Sequence, residues 1–543
     1  MSTTNSSPST ASSSESSLEP GSPTGPPAGG PPAAGPATGG PSAPEALDRG
    51  LLLIAMCVVL GAVMSILDVT VVNVAINTLA REFETPLATI QWVATGYTLA
   101  LATVIPLTGW GADRFGTKRL YVTSIVLFVS GSVLSGLAWN AESLIGFRIL
   151  QGFGGGMLMP AGMTILTRAA GPQRLGRVMA VMGVPMLLGP ICGPILGGWL
   201  VDSFSWRWIF FINIPIGVVA LTASLRILPK DVPSPGQRLD LLGLVLLSPS
   251  LAAIIYGLAE SSTNGGFNHA EVLVPIGLGV VLLGFWFRHT RRTKDALIDL
   301  KLFRNKTFAA STTTMMLMII SVFGGMLLLP LYLQAVRGES ALSTGLLLAP
   351  QGLGAMLAMP ISGLLTDRTG VGRIVPCGLA LVGLSFLGLT QLTSTTSYTW
   401  LSVLLFVQGV GMGFTMMPTM TGAMQTLRRA SIARASTTLN IIQQVGASIG
   451  TAVMVVILTA AISARIPGAG GGIGGAPAPA DTPPAVLADL QAKMAESFGE
   501  TFWWALGLVL IAFVVALVLL PKQKPEPVED DDSDDLPAAM MMG

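Results

Sequence analysis

The chain has 543 residues, 51% of them hydrophobic types and only 11% charged, with a formal net charge of +1 and a mean hydropathy of +0.67. A soluble domain carries about 25% charged residues, so this supply cannot cover a water-facing surface, and lipid must cover much of it. Near-zero net charge offers no basic face to a nucleic acid. Three cysteines far apart, and two histidines near segment ends, match neither a disulfide framework nor a metal-ligand spacing. No metal or other cofactor is therefore expected.

Residues 1–48 are mostly Ser, Thr, Gly, Pro and Ala. Such a segment cannot offset its ordering entropy by burial and is expected to be disordered. It lacks the basic start and prompt apolar run of a signal peptide. From there on, apolar stretches recur at about the 20 residues that cross hydrocarbon: 50–72, 87–110, 120–139, 143–166, 177–200, 207–227, 239–259, 271–288, 307–333, 343–365, 373–392, 399–424, 438–461 and 501–520. These fourteen predicted spans suggest a six-span bundle over 49–228, a linker with two additional spans over 229–305, and a second bundle over 306–520. The second bundle includes an outer segment, 462–500. Within it Pro467–Pro479 reads as irregular, and Pro484–Glu500 as either a short amphipathic helix lying on the membrane or neighbouring loops, or a plain linker. An acidic tail, 521–543, ends the chain.

Charge placement tests the count. With a cytoplasmic N-terminus, 24 of the 30 Lys and Arg fall in inside segments. Five fall outside (Arg81, Arg207, Arg337, Arg465 and Lys493), and Arg148 lies within a span. This is the positive-inside bias. The even count places both termini on the cytoplasmic side.

The chain also repeats itself. GWGADRFGTKR (Gly109–Arg119) is echoed by GLLTDRTGVGR (Gly363–Arg373) at a constant offset of 254, and QGFGGGMLMP (Gln151–Pro160) by QGVGMGFTMMP (Gln408–Pro418) at 257 to 258. Two echoes in the same order indicate a duplicated six-span unit, spans 1–6 and 9–14, with spans 7 and 8 inserted. Two parallel repeats about a central cavity are an established transporter layout.

Asp68 and Arg148 are the clearest ionisable residues well inside a span, and the rise per residue puts them at similar depth. A lone charge in hydrocarbon is costly, so pairing, direct or through water, is expected. Burial disfavours a charged carboxylate and a neighbouring guanidinium favours it, which suits a proton carrier; a static pair joining spans 1 and 4 is the alternative. Gly109, Asp113, Arg114, Gly116 and Arg119, with Asp367 and Arg368 of the repeat, read as a latch between halves at the inner face. The alternative there is a solvated loop patch. Span 5 reads GVPMLLGPICGPILGG (Gly183–Gly198). Its Gly183, Gly189, Pro190, Gly193, Pro194, Gly197 and Gly198 predict a kinked, closely packed helix. Asn73, Gln151, Gln443 and Gln444 are candidates for polar groups lining a substrate cavity.

On these residues the chain resembles the major facilitator superfamily, and within it the fourteen-helix drug:proton antiporters of the EmrB/QacA type. LDVTVVNVA (Leu67–Ala75) resembles the family's first-helix motif, and GWGADRFGTKR the signature between its helices 2 and 3. IGFRILQGFGGG (Ile145–Gly156) is similar to the fourth-helix motif whose arginine is linked to proton transfer, here Arg148. The Gly183–Gly198 stretch is similar to the fifth-helix antiporter motif, and WRWIFFINIPIG (Trp206–Gly217) to the start of helix 6. The resemblance implies an all-α polytopic membrane protein with two six-helix bundles plus a central pair. It implies a transporter rather than an enzyme, exporting across the inner (plasma) membrane in exchange for protons and working without a nucleotide. No G-x-x-x-x-G-K-[ST] phosphate loop occurs in the chain. The second signature departs by carrying Thr366 and Val371, and Leu405 stands at the repeat position of Arg148. An interior rich in Met, Phe and Leu suits hydrophobic or amphipathic compounds, with lipids or glycolipids as the alternative cargo. A monomer is expected to suffice.

Overall fold

In the computed structural model of the chain the described residues are 48–85, 87–229, 239–263, 266–293, 296–427, 431–466 and 483–522. The expected tails, apart from residues 48, 521 and 522, and the Gly/Ala/Pro-rich part of the outer segment lie outside them. So do the side chains of Asn73, Gly183, Gly189, Pro190, Pro194 and Asp367.

Every element among the described residues is helical. The first group comprises α1 (Arg49–Glu82), α2 (Leu87–Ile90), α3 (Trp92–Phe115), α4 (Thr117–Gly136), α5 (Ala141–Ser203), α6 (Trp208–Phe211) and α7 (Asn213–Ile227). A hairpin follows, α8 (Leu241–Thr263) and α9 (Ala270–Thr290), then a 3-10 turn at Leu300–Arg304. The remainder is α10 (Lys306–Ala335), α11 (Ala341–Thr369), α12 (Val371–Leu389), α13 (Tyr398–Gln425), α14 (Ile432–Arg465) and α15 (Pro484–Leu519). A helix satisfies all its backbone groups internally, as hydrocarbon demands.

Thirteen of these runs are long and apolar enough to cross a membrane by length and composition. The remaining predicted span, 177–200, is the second arm of α5. That helix bends at Gly171, whose backbone (φ 66°, ψ 172°) leaves the helical region. Pro172 follows, and a residue before proline is pushed toward extended ψ.

Two predicted boundaries change. The first span ends near Val72 as expected, but α1 runs ten residues further, because Ala75 and Leu79 bury against Trp206, Ile209 and Phe210. The outer segment differs more. Pro484–Glu500 is helical rather than a plain linker, and it is not a separate short helix but the first part of one 36-residue helix, α15, which continues into the last span. Arg465, at the end of α14, holds it through Glu500 (2.6 Å) and Glu496 (3.7 Å).

The duplication is visible in three dimensions. The α3–α4 and α11–α12 junctions each turn on one glycine, Gly116 (φ 88°, ψ 147°) and Gly370 (φ 84°, ψ 160°), in a region open essentially to glycine alone. Their N–H groups donate to Ala112 O (3.1 Å) and Thr366 O (3.0 Å), again 254 residues apart. Helix packing repeats as well. Gly152 abuts the carbonyl of Tyr97, and Gly409 that of Gln351. Gly156 meets the Leu101 carbonyl and Gly413 that of Ala355, while Gly154 and Gly411 press on the backbones of Phe128 and Val382. In the second arm of α5, Gly193 and Gly197 seat against Thr70 and Val71 of α1; in α14, Gly446 and Gly450 seat against Ile319 and Ile320 of α10. A side chain at any of these glycines would push two helices apart.

The first group packs α1, α3 and α4 on α5; α11 and α12 pack on α13, and α10 on α14 and α15. Helices α5 and α11 meet between the groups, and α8 bridges α3 and α14.

Candidate functional site

Asp68 stands on α1, 19 residues and about 28 Å along the axis from the helix start, at 1.5 Å per residue. Arg148 stands two turns into α5, which runs the opposite way after the Asn140–Ser143 capping box starts it. The two meet: Arg148 Nη1 donates to Asp68 Oδ2 at 2.5 Å. The side chains are 0% and 1% exposed for Asp68 and Arg148, so no solvent touches the pair.

The partners of the pair are fully built. Gln151 Nε2 (2.8 Å) and Asn213 Nδ2 (3.0 Å) both donate to Asp68 Oδ1. Arg148 also donates to Gln151 Oε1 (2.8 Å) and, through Nε, to the carbonyl of Val93 (3.2 Å). Its guanidinium lies over the Tyr97 ring, 4.2 Å from the centroid, with the Phe210 ring at 5.7 Å. Asn213 Nδ2 donates also to Ser132 Oγ (3.0 Å), which in turn donates to Phe210 O (2.9 Å). Among the described residues every hydrogen bond to the carboxylate comes from a donor, and an ionised carboxylate can only accept. Protonation would set an O–H among donors and weaken the hold on Arg148. Asn213 Oδ1 is buried and has no hydrogen-bond partner among the described residues, so it is the one acceptor beside the carboxylate that is not already used.

Sequence reading anticipated the pair and missed its frame. Gln151, expected to line a cavity, is buried and bonded to both charges. Asn213, Tyr97 and Ser132 were not anticipated. A buried amide in the otherwise apolar run FFINIPIG was the available signal for Asn213. Among the described residues the cluster occurs in the first repeat only. The repeat offsets place Gln351, Leu405 and Gln408 where Tyr97, Arg148 and Gln151 stand in the first half.

At the other end of α3, Asp113 is mostly buried and accepts from Arg168 Nη2 (3.3 Å), with Arg434 of α14 close enough to act on it electrostatically. A side chain at Gly109 would meet Thr437 and the backbone of Ala433 and Arg434, so α3 and α14 touch here. Two further contacts join the groups at this end: Ser436 Oγ donates to Pro160 O (2.9 Å), and Thr167 Oγ1 to Met424 Sδ (3.2 Å). Arg114, Arg119 and Arg368, expected in the same feature, are exposed, because they lie on the solvent side of the turns that Gly116 and Gly370 make. Lys118 has a different task, donating to the carbonyls of Leu225 and Leu228 at the end of α7.

Of the fifth-span glycines, Gly193 and Gly197 make the close approach predicted, whereas a side chain at Gly198 would meet nothing within 4 Å. Gln443 lies between methionine sulfurs, Met315 and Met420, both 4.0 Å from Nε2. Gln444 is half-buried. Neither lines the large cavity beside α14, which has a volume of about 1050 Å³ and is bounded instead by Thr438, Ile441, Ile442 and Val445 of that helix.

A duplicated all-helical architecture of this size, with a sealed ion pair in one repeat, defines a polytopic α-helical membrane protein. The chain belongs to the Major Facilitator Superfamily, whose model matches residues 58–451. Among curated relatives, it is 47% identical over 413 residues to the "Multidrug resistance protein B homolog" of Mycobacterium tuberculosis, covering 75% of this chain and 76% of that protein. It is 30% identical to the "Multidrug export protein EmrB" of Escherichia coli, covering 74% and 78%. Among solved structures, the human organic anion transporter MFSD10 (TETRAN) superposes with a TM-score of 0.56 at 14% identity, covering 85% of this chain and all of that one. At that identity the likeness concerns the fold.

Proposed function

We propose that this protein exports hydrophobic or amphipathic compounds from the cytoplasm in exchange for protons. Residues 49–228 and 306–520 act as two bundles that expose a central cavity to each side in turn, in the cell's inner (plasma) membrane, with both termini cytoplasmic and one chain sufficient. Substrate class follows the relatives named for multidrug resistance and export. It is supported by the row of buried methionines on α13, Met412, Met416, Met417, Met420 and Met424, whose thioethers adapt to varied apolar ligands.

The observation that carries proton coupling is the sealed Asp68–Arg148 pair. The Asp68 carboxylate accepts from Arg148, Gln151 and Asn213; taking up a proton releases Arg148 and cancels the reason for the helices around them to stay together. Contacts of α3, α5, α13 and α14 around Gly109 and Asp113 act as the latch that closes the cytoplasmic side. The inserted hairpin covers the seam between α3 and α14.

The test is reconstitution in liposomes with an imposed pH gradient and a panel of cationic dyes and drugs. Asp68→Asn keeps the shape and an acceptor oxygen but cannot cycle a proton; it should still bind a dye and lose gradient-driven exchange. Full exchange by that variant would remove the coupling role. The alternative cargo, lipids or glycolipids exported by the same machinery, is tested in the same experiment. Labelled lipid in the same panel separates the two.

A further inference from the structure

The cavity of about 1050 Å³ lies between the inserted hairpin, the segment 296–304, α10 and α14. None of these elements contributes to the Asp68 cluster. Its walls are apolar, with Leu251, Trp286, Met316, Ile441 and Val445 prominent. Its mouth is not: Arg291, Lys301 and Arg304 line it, and all three are exposed. Among the described residues no ion pair involves them. The one acid on the lining, Asp299, has its Oδ1 engaged by the backbone N–H of Lys301 (2.9 Å). Among the described lining residues, three cations stand against one carboxylate, which leaves the mouth positive.

Depth limits the occupant. The mouth lies at the end of α9 and in the segment 296–304. From there the lining runs along α14 from Thr438 to Val445 and along α8 from Leu247 to Ile254. At 1.5 Å per residue each stretch is about 10 Å, within one half of a hydrocarbon core of about 30 Å. The cavity therefore lies within one leaflet and its interface. Its wall also carries two buried donors without a partner among the described residues, Trp286 Nε1 and Thr290 Oγ1, one helical turn apart. Helix α9 buries only Val272, Gly279, Trp286 and Thr290, so its other faces meet lipid.

We propose that this cavity is a binding site for an anionic phospholipid of the leaflet on the basic side, its phosphate at Arg291, Lys301 and Arg304 and its acyl chains along α14. Basic pockets between membrane helices on that side recognise acidic headgroups. The lipid is held, not carried, and it seats the hairpin on the second bundle. Helix α8 is already fixed to the first bundle by Ser248 Oγ on Thr103 O (2.6 Å) and the stacking of Tyr256 on Trp92. This assignment stands on the cavity and does not depend on the proton mechanism.

The full chain is placed in phosphatidylcholine vesicles carrying a trace of spin-labelled phosphatidylglycerol or spin-labelled phosphatidylcholine, and the motionally restricted fraction of each is measured. The wild type should restrict phosphatidylglycerol in preference, by up to roughly fivefold per cation at low salt, and the preference should fall as salt rises. Arg291→Gln/Lys301→Gln/Arg304→Gln, which alters only exposed side chains, should abolish the preference and leave phosphatidylcholine unchanged. Ile441→Trp, which fills the chamber, should lower phosphatidylglycerol retention with the cations intact. Equal restriction of the two lipids by the wild type, or an undiminished preference in the triple variant, would overturn the assignment. So would transfer of the labelled headgroup to the opposite leaflet under a pH gradient, or its displacement by a transported dye, because either would make the cavity part of a transport route.

Discussion

Removing the carboxylate of the Asp68–Arg148 pair alone should cost more than removing both charges. Asp68→Ala leaves a guanidinium that is 1% exposed and cannot shed its proton. Breaking a buried pair in this way typically costs about 3–5 kcal/mol. Arg148 keeps Gln151 Oε1, the Val93 carbonyl and the Tyr97 ring, which places the expected loss near the lower end, about 3 kcal/mol. Arg148→Met should be milder, about 1–2 kcal/mol, because the stranded carboxylate keeps the amides of Gln151 and Asn213 and can neutralise itself by protonation. The double variant replaces the pair by apolar groups and should be no worse than the milder single change. The coupling energy is then about 3 kcal/mol, a difference of about two orders of magnitude in the unfolding constant. Unfolding in SDS-containing mixed micelles, followed by circular dichroism for all four proteins, measures it. Two results would refute the reasoning: a coupling near the roughly 0.6 kcal/mol of a neutral interhelical hydrogen bond, or Arg148→Met costing more than Asp68→Ala.

Three further outcomes are expected from the same preparation. Asn213→Leu keeps the branched four-heavy-atom outline, removes a donor to Asp68 and to Ser132, and should lower stability by about 1–3 kcal/mol, whereas the exposed Thr222→Ala on the same helix should lie within about 0.5 kcal/mol of wild type. Gly116→Ala and Gly370→Ala should each cost about 1–3 kcal/mol in the unfolding midpoint, because both positions hold φ near +85°, and the two losses should add, the turns lying in separate repeats. Arg465→Ala, at a largely solvated ion pair, should change global unfolding by less than about 1 kcal/mol. The same change should speed amide exchange in the first turns of α15, which is where the clamp acts.

The amino-acid sequence by itself determined the class of fold. Stretches of some 20 apolar residues leave a chain in lipid no spanning option but the helix, so the spans, their basic flanks and the duplicated signatures were all legible. Asp68 and Arg148 stood out for the same reason, two charges where charge is expensive. Tertiary structure decided how that expense is met. Asn213 and Gln151 are amides that sequence position could not aim; packing α7 and α5 against α1 brings both to one carboxylate oxygen. The glycines at 152 and 409 were legible as members of a repeat, but not the backbones they pack against, Tyr97 and Gln351. Arg119 and Arg368 matched a repeat and yet are exposed, whereas Thr117 and Val371, directly after the two positive-φ glycines, are buried; the signature does not say which of its side chains point inward. The cavity beside α14 was not legible at all: its walls come from four separate stretches of chain, and periodicity reports which face of a helix is apolar but not which other helix, or which lipid, will cover it.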